Sequence, residues 1–117
     1  MISEFVCVNV MSKDPKALVK FYHEILGIPI LFAGFGNNDG TNLGFIKNSP
    51  TICIWNEHTW GKSEGYATLV FCCDDLHTTY KEIIAKGYPI EPPVDKGWGG
   101  RELNFDDPDG NHIIILE

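Results

Sequence analysis

The chain has 117 residues, of which 44% are hydrophobic and 21% are charged, and this balance is typical of one soluble globular domain with its own core. Nine Lys and Arg against sixteen Asp and Glu give a net charge of −7, which argues against nucleic acid or an anionic membrane as partner and is compatible with a cationic or neutral small molecule. The sequence shows neither a signal peptide nor an apolar run of about 18 residues, so we expect a cytoplasmic protein whose four cysteines are reduced thiols.

The first half of the sequence predicts a β-α-β-β-β unit. Residues 5–10 alternate valine with other residues, as in a half-buried strand. Asp14-Pro15 predicts the N-cap and first turn of a helix that ends at Gly27. Four apolar residues at helical spacing would form its buried stripe: Leu18, Phe21, Tyr22 and Ile25. Three further strands are predicted: 28–32, 43–46 and 51–55.

The same order returns after a polar, glycine-bearing segment, 58–65, which we interpret as a linker. Asp75 would cap a second helix that ends at Gly87. The buried stripe of this helix would be Leu76, Tyr80, Ile83 and Ile84. Its strands are predicted at 66–73, 88–91, 102–105 and 112–116. The aspartates of the turn between the last two strands are interpreted as caps of backbone amides.

A duplicated segment supports this two-unit interpretation. The sequence FYHEILGIPI at 21–30 resembles TYKEIIAKGYPI at 79–90, about 60 residues later, which is near half of the chain. We therefore predict an α+β fold of two βαβββ units that form incomplete mixed-sheet barrels in a single domain, with the units at 1–57 and 66–117.

The spacing of Asp14-Pro15, Phe21-Tyr22 and Leu26-Gly27, together with the closing DPDGN at 107–111, resembles the vicinal oxygen chelate superfamily. This superfamily includes glyoxalase I, bleomycin-resistance proteins and ring-cleaving dioxygenases. The resemblance covers nearly the whole chain and implies a cavity against one face of each sheet, usually in a homodimer.

Metal-dependent members of the superfamily draw His or Glu ligands from the first and last strands of each unit. The resemblance places Cys7, Thr68 and Ile114 at three of these positions, and Cys53 near the fourth. Threonine and isoleucine cannot supply the roughly three N or O ligands of a catalytic divalent site. We therefore expect no metal cofactor and no enzyme of the usual type, and the chain looks closer to the metal-free, bleomycin-resistance-like members.

Two alternatives keep a metal possible. Cys7 and Cys53 could hold a divalent metal such as zinc, although free cysteines more often pack as small hydrophobes. His112 could also point inward, although a histidine at a hairpin end is more often near solvent.

Strand alternation predicts an apolar and aromatic ligand-binding cavity with few polar anchors. Its predicted lining is Phe5, Cys7, Asn9, Cys53, Trp55, Trp60, Thr68, Val70, Trp98, Glu102, His112 and Ile114. Trp60 and Trp98 lie in glycine-rich segments, where either could serve as a lid or a stacking platform. The same residues could instead fill a solid core or a dimer interface.

The sequence leaves three functions open. The first is a metal-independent protein that sequesters a cationic aromatic ligand. The second is a glyoxalase I-like lyase or dioxygenase with non-standard metal ligands. The third is thiol chemistry at Cys7 or Cys53, which lacks an evident histidine base. Arg101 beside Glu102 would count against the first function if it met an anionic ligand.

Overall fold

The computed structural model of the chain describes residues 1, 3, 7–34, 39–45, 48–63 and 65–117, with only the backbone for 48 and 49. The chain divides into two compact units, Met1–Gly65 and Tyr66–Glu117. Each unit contains one four-stranded mixed sheet. The predicted α+β fold with two βαβββ-like units is confirmed.

The described residues of unit 1 form four strands, two short helices and a π-helical turn. In chain order these are β1 (Cys7–Ser12), α1 (Pro15–Lys20), the π-helical turn (Phe21–Ile25), β2 (Ile30–Gly34), β3 (Gly40–Phe45), β4 (Asn48–Asn56) and α2 (Glu57–Trp60). The sheet order is β1-β4-β3-β2, with β1 parallel to β4 and the other pairs antiparallel.

The first helix begins and ends at the predicted residues. The Asp14 carboxylate accepts a hydrogen bond from the Ala17 backbone N–H at 3.2 Å. Leu18 and Tyr22 are fully buried, and Gly27 has a φ of 73°, which only glycine adopts without strain. The Ile28 N–H still bonds to the Tyr22 carbonyl at 3.0 Å. The second strand therefore starts at Ile30 and not at the predicted residue 28.

The sheet of unit 1 has one buried face. Val10 pairs with Ile54 across β1 and β4, both are buried, and α1 contacts the same two strands. Because side chains alternate along a strand, Asn9 and Cys53, which also pair, lie on the opposite face. The sheet of unit 1 thus has a core face and an opposite face that is available to bind a ligand.

Unit 2 repeats this arrangement. Its elements are β5 (Thr68–Cys72), α3 (Leu76–Ala85), β6 (Val94–Asp95), β7 (Arg101–Asp106) and β8 (His112–Leu116). The sheet order is β5-β8-β7-β6, with β5 parallel to β8 and β7 antiparallel to β8. The core face carries buried apolar residues from three strands: Leu69, Leu103, Phe105, Ile113 and Ile115.

The helix of unit 2 is capped as predicted but buries a narrower stripe. The Asp75 carboxylate accepts a hydrogen bond from the Thr78 N–H at 2.7 Å, and this bond lowers the pKa of Asp75. Leu76 and Ile83 are buried, whereas Ile84 is 40% exposed. The prediction for Ile84 was wrong because successive helical residues point about 100° apart, so that Ile83 turns inward and Ile84 outward.

Two further predictions are corrected. Residues 88–91 form no strand, and the pairing with β7 starts only at Val94, because the prolines at 89, 92 and 93 have no N–H to donate. The predicted linker also begins inside a helix, since α2 runs from Glu57 to Trp60. The Asn56 side chain caps this helix by accepting from the His58 N–H at 2.9 Å.

The hairpin between β7 and β8 is confirmed, and Asp107 has the predicted capping role. Its Oδ1 accepts hydrogen bonds from the backbone N–H groups of Asp109 and Asn111 at 2.8 and 2.9 Å. Within the described chain, no helix is both long and apolar enough to cross a membrane.

Candidate functional site

The open face of unit 1 is the sheet face that carries Cys7, Asn9, Asn42, Cys53 and Trp55. The Asn9 side-chain oxygen accepts hydrogen bonds from the Trp55 indole N–H at 3.1 Å and from the Cys7 thiol at 3.5 Å. The Asn42 amide donates to the Cys53 sulfur at 3.1 Å. The polar groups of this face are thus largely engaged with one another.

The two cysteines of this face interact. Burial raises the pKa of the Cys7 thiol, and the hydrogen bond to Cys53 and the charge of Cys53 raise it further. A raised pKa keeps the Cys7 thiol protonated at neutral pH, and a thiol is a much weaker nucleophile than a thiolate. The geometry therefore does not favour thiol chemistry at Cys7.

Trp60 is held in place and is not part of a free loop. It ends α2, its indole N–H donates to the Asp39 carboxylate at 2.8 Å, and its ring meets the edge of Trp55 at a centroid distance of 5.7 Å. The lid interpretation is therefore not supported for Trp60. The residue remains 47% exposed.

The residues at the positions where the superfamily's metal-dependent members hold their metal do not supply the ligands of a divalent metal site. Unit 1 supplies the two thiols of Cys7 and Cys53, and unit 2 supplies Thr68 and Ile114 at the corresponding positions. Among the residues that the structure describes, no group of three or more His, Cys, Asp or Glu side chains could hold a metal ion. This donor set does not fit a three-ligand divalent site.

The open face of unit 2 is the sheet face that carries Val70, Glu102, Asn104, His112 and Ile114. Strand register brings these side chains together: Asn104 and Val70 both pair with Ile114. His112 pairs with Thr68 on one side and with Asp106 on the other. Val70 is 58% exposed, so an apolar surface lies open beside the polar row.

Glu102 is the anchor of this face. Its Oε2 accepts a hydrogen bond from the Trp98 indole N–H, and its Oε1 accepts one from the Asn104 amide, both at 2.8 Å. The Asn104 bond and then the Trp98 bond lower the pKa of Glu102, with smaller contributions from the charges of Lys96 and His112. Glu102 is thus a carboxylate at neutral pH, fixed by two donors although its side chain is largely buried.

His112 extends this polar row toward the end of the hairpin. Its Nε2 lies 2.9 Å from the Asn104 side-chain oxygen, and its Nδ1 lies 2.9 Å from the Asp106 carboxylate. The ring is half-buried. It therefore has defined partners on both sides, which the sequence did not indicate.

The structure distributes the predicted cavity residues over both units. Unit 1 carries Cys7, Asn9, Cys53, Trp55 and Trp60, and unit 2 carries Thr68, Val70, Trp98, Glu102, His112 and Ile114. Phe5 lies outside the described residues. By strand alternation, the strand residues of each unit among these lie on its open face, and their role in lining a ligand cavity stays a prediction.

Sequence reasoning missed three residues of the open faces: Asn42, Asn104 and Asp106. Asn104 and Asp106 stand two and four residues after Glu102 on the same strand, so the period-2 rule would have placed them beside it. For Asn42 the sequence offered no such signal, because the strand predicted at 43–46 begins after it, whereas β3 begins at Gly40.

A cavity of about 550 Å³ lies elsewhere, beside α1 in unit 1. Its lining mixes both signs of charge, with Lys13, Lys16 and Lys20 near Asp14 and Glu24. This lining therefore favours neither a cationic nor an anionic ligand.

Comparison with known proteins agrees with this fold. The sequence profile of the Glyoxalase/Bleomycin resistance protein/Dioxygenase superfamily matches residues 5–115. Uncharacterized protein YraH of Bacillus subtilis (strain 168) is 29% identical over 122 residues, covering 94% of each chain.

Solved structures with the same fold superimpose closely. TnmS3, an antibiotic binding protein from Streptomyces sp. CB03234, matches with a TM-score of 0.81 at 22% identity, covering 97% of this chain and 94% of TnmS3. A superfamily member from Sphaerobacter thermophilus DSM 20745 matches with a TM-score of 0.80 at 20% identity, covering 99% and 98%. The chain described here belongs to the glyoxalase/bleomycin resistance protein/dioxygenase superfamily.

Proposed function

We propose that the protein binds and sequesters a small cationic aromatic molecule at the open face of unit 2, without a metal cofactor. One observation carries this proposal: the Glu102 carboxylate is fixed between the Trp98 indole and the Asn104 amide, and its cross-strand neighbour Val94 is an apolar residue that is 39% exposed. A carboxylate attracts a cation, and an indole ring stacks on an aromatic body and attracts a cation to its face. Together they select ligands with both properties.

The electrostatic surroundings favour a cation on balance. The chain carries a net charge of −7, which raises the local concentration of cations around it. Lys96 opposes this, since its charge acts on Glu102. Arg101 is exposed and, by strand alternation, lies on the face opposite Glu102, which weakens the alternative of an anionic ligand at Glu102.

The likeness to TnmS3, which binds an antibiotic, supports a small organic ligand for this chain as well. The rival hypothesis is a metal-dependent lyase or dioxygenase with non-standard ligands such as Cys7 and Cys53. These two thiols are two donors only, and the superfamily positions in unit 2 hold Thr68 and Ile114. The binding hypothesis therefore accounts for the residues at these positions better than the metal-dependent hypothesis does.

The test replaces Glu102→Gln and measures the Kd of benzamidinium, an aromatic cation whose two NH₂ groups can donate hydrogen bonds to a carboxylate. We expect the substitution to weaken binding by about ten- to hundredfold, because hydrogen bonds to a charged group are among the stronger ones. Glu91→Gln is the matched control, since it removes the same charge from an exposed position of unit 2 and should leave Kd within about twofold.

Two results would contradict the proposal. Equal loss of affinity in Glu102→Gln and Glu91→Gln would show that binding depends on the net charge of the protein and not on the position of Glu102. A stoichiometric metal in protein purified after growth with Zn, Ni, Mn and Fe would instead favour the enzyme hypothesis.

We also propose that the two units form a single domain and that the protein is a homodimer. The edge strand β2 carries three apolar residues that are at least one third exposed, Ile30, Leu31 and Phe32, and a second copy would cover them.

A further inference from the structure

Gly100, the residue before β7, leaves room for no side chain. A Cβ atom at this position would lie 2.5 Å from Cη2, 2.6 Å from Cζ3 and 3.2 Å from Cζ2 of the Trp98 ring. Carbon atoms in van der Waals contact lie about 3.5 to 4.0 Å apart. The far end of the Trp98 ring therefore occupies the space that the first side-chain carbon of any other residue would need.

This need for glycine comes from the ring and not from the backbone. The glycines on either side of Trp98, Gly97 and Gly99, have φ angles of 91° and 102°, which residues with a side chain rarely adopt. Gly100 does not have a positive φ, so its backbone can carry an alanine. The three heavy atoms nearest to the added methyl group all belong to Trp98. A substitution at Gly100 thus acts first on Trp98.

Two hydrogen bonds and this contact fix the position of Trp98. The Asp95 carboxylate accepts a hydrogen bond from the Gly97 N–H at 2.7 Å, which holds the start of the loop. The Trp98 indole N–H donates to Glu102 at 2.8 Å, and the far end of the ring lies against Gly100. The residue is nevertheless 55% exposed. A ring that is both fixed and exposed can serve as a stacking platform, because a ligand does not have to order it first.

This platform lies directly beside the carboxylate of Glu102. Because the Trp98 indole nitrogen is 2.8 Å from a Glu102 oxygen, one small molecule can place an aromatic body on the ring and a cation at the carboxylate. An aliphatic cation of the same charge has no aromatic body to stack. Stacking should favour the aromatic cation by about five- to tenfold in Kd.

We propose that Gly100 determines the ligand specificity of this site: its missing side chain lets Trp98 lie beside Glu102, and the open face of unit 2 therefore takes aromatic cations in preference to aliphatic ones. This inference rests on the function proposed above. Gly100 is a positioning residue, because it acts on the ligand through Trp98.

Gly100→Ala should move the Trp98 ring and leave the charge of the site in place. The indole is rigid, so a methyl group that displaces its far end also pulls its N–H away from Glu102. Glu102 keeps its second donor, the Asn104 amide at 2.8 Å. The variant should therefore lose the stacking platform and retain the attraction for a cation.

A first experiment needs no ligand. The indole N–H signal of Trp98 is followed by ¹H–¹⁵N NMR, and circular dichroism checks that each variant is folded. In Gly100→Ala we expect this signal to shift and its exchange with water to become faster, because the N–H has lost its acceptor. In the matched control Gly65→Ala the signal should stay as in the wild type, since a Cβ there would meet no heavy atom of the described residues within 4 Å apart from its neighbours in the chain. An unchanged signal in Gly100→Ala would overturn the inference.

A second experiment measures the Kd of benzamidinium and acetamidinium, which carry the same charged group on a benzene ring and on a methyl group. We expect Gly100→Ala to weaken binding of benzamidinium by about five- to tenfold and to change that of acetamidinium by less than about twofold. Trp98→Ala should lower the preference for benzamidinium to a similar extent. In the Trp98→Ala background, Gly100→Ala should have no further effect, because no ring is left to displace.

The two experiments separate this inference from the proposed function. A preference for benzamidinium that persists in Trp98→Ala, or an effect of Gly100→Ala that persists in the Trp98→Ala background, would overturn the inference and leave the proposed function standing. If neither cation binds the wild-type protein while Gly100→Ala still displaces the indole signal, the proposed function itself is overturned.

Discussion

Replacing Asp107→Ala is expected to lower the free energy of unfolding by about 3 to 5 kcal/mol, the largest loss that we predict for a single polar side chain. Asp107 is 4% exposed. Its carboxylate accepts from the N–H groups of Asp109 and Asn111 and from the Asn111 amide, at 2.8 to 2.9 Å. Removing it leaves three donors in or near the interior without this acceptor.

The loss should spread beyond the turn. The Asn111 side-chain oxygen accepts from the Ala67 N–H at 3.0 Å, just before β5, so Asp107 also orients the residue that joins the hairpin to the first strand of the unit. Urea denaturation followed by circular dichroism measures the change.

Asp109→Ala is the matched control in the same turn. Its Oδ2 is buried and has no hydrogen-bond partner among the described residues, so its removal should change stability by less than about 1 kcal/mol. Equal losses for the two variants would contradict the capping role of Asp107.

Replacing Leu103→Ala is expected to cost about 2 to 5 kcal/mol, as for other buried leucines whose removal leaves a cavity. Leu103 is fully buried on the core face of β7, between Glu102 and Asn104 in sequence but on the opposite side of the sheet. Val94→Ala, at a residue 39% exposed on the edge strand β6, should cost less than about 1 kcal/mol.

Leu103→Ala also tests whether the core face and the open face of unit 2 are independent of each other. Under conditions where Leu103→Ala is fully folded, its Kd for benzamidinium should equal that of the wild type, because the core face does not contact the ligand. Calorimetry at a temperature well below the unfolding midpoint measures it. A loss of affinity comparable to that of Glu102→Gln would show that the two faces are not independent.

Local rules predicted most of the fold. Asp14 and Asp75 are predictable as N-caps because a carboxylate before a helical apolar stripe has few other roles. Gly27 and Gly87 are predictable as helix ends because a positive φ is needed after the last turn. The strand predicted at 88–91 was wrong because Pro89, Pro92 and Pro93 have no N–H group to donate to a neighbouring strand.

The chemistry of the candidate site was harder to predict. Alternation placed Glu102 and His112 at a cavity face, but their connection runs through Asn104, whose role depends on the register of β7 against β8. Trp98 lies in an irregular loop, where no periodicity predicts the direction of its indole N–H. Contacts that depend on strand register or loop conformation are set by tertiary packing, which spacing in one sequence does not reveal.

The proposed binding of a cation at Glu102, on the open face of unit 2, is tested most directly by a ¹H–¹⁵N NMR titration of the wild-type protein with benzamidinium. The titration follows the indole N–H signals of all three tryptophans and the side-chain amide of Asn104. We predict saturable shifts of the Trp98 indole and the Asn104 amide with one common Kd. Shifts confined to Trp55 and Trp60 or to residues that line the cavity beside α1, with Trp98 and Asn104 unchanged, would contradict it.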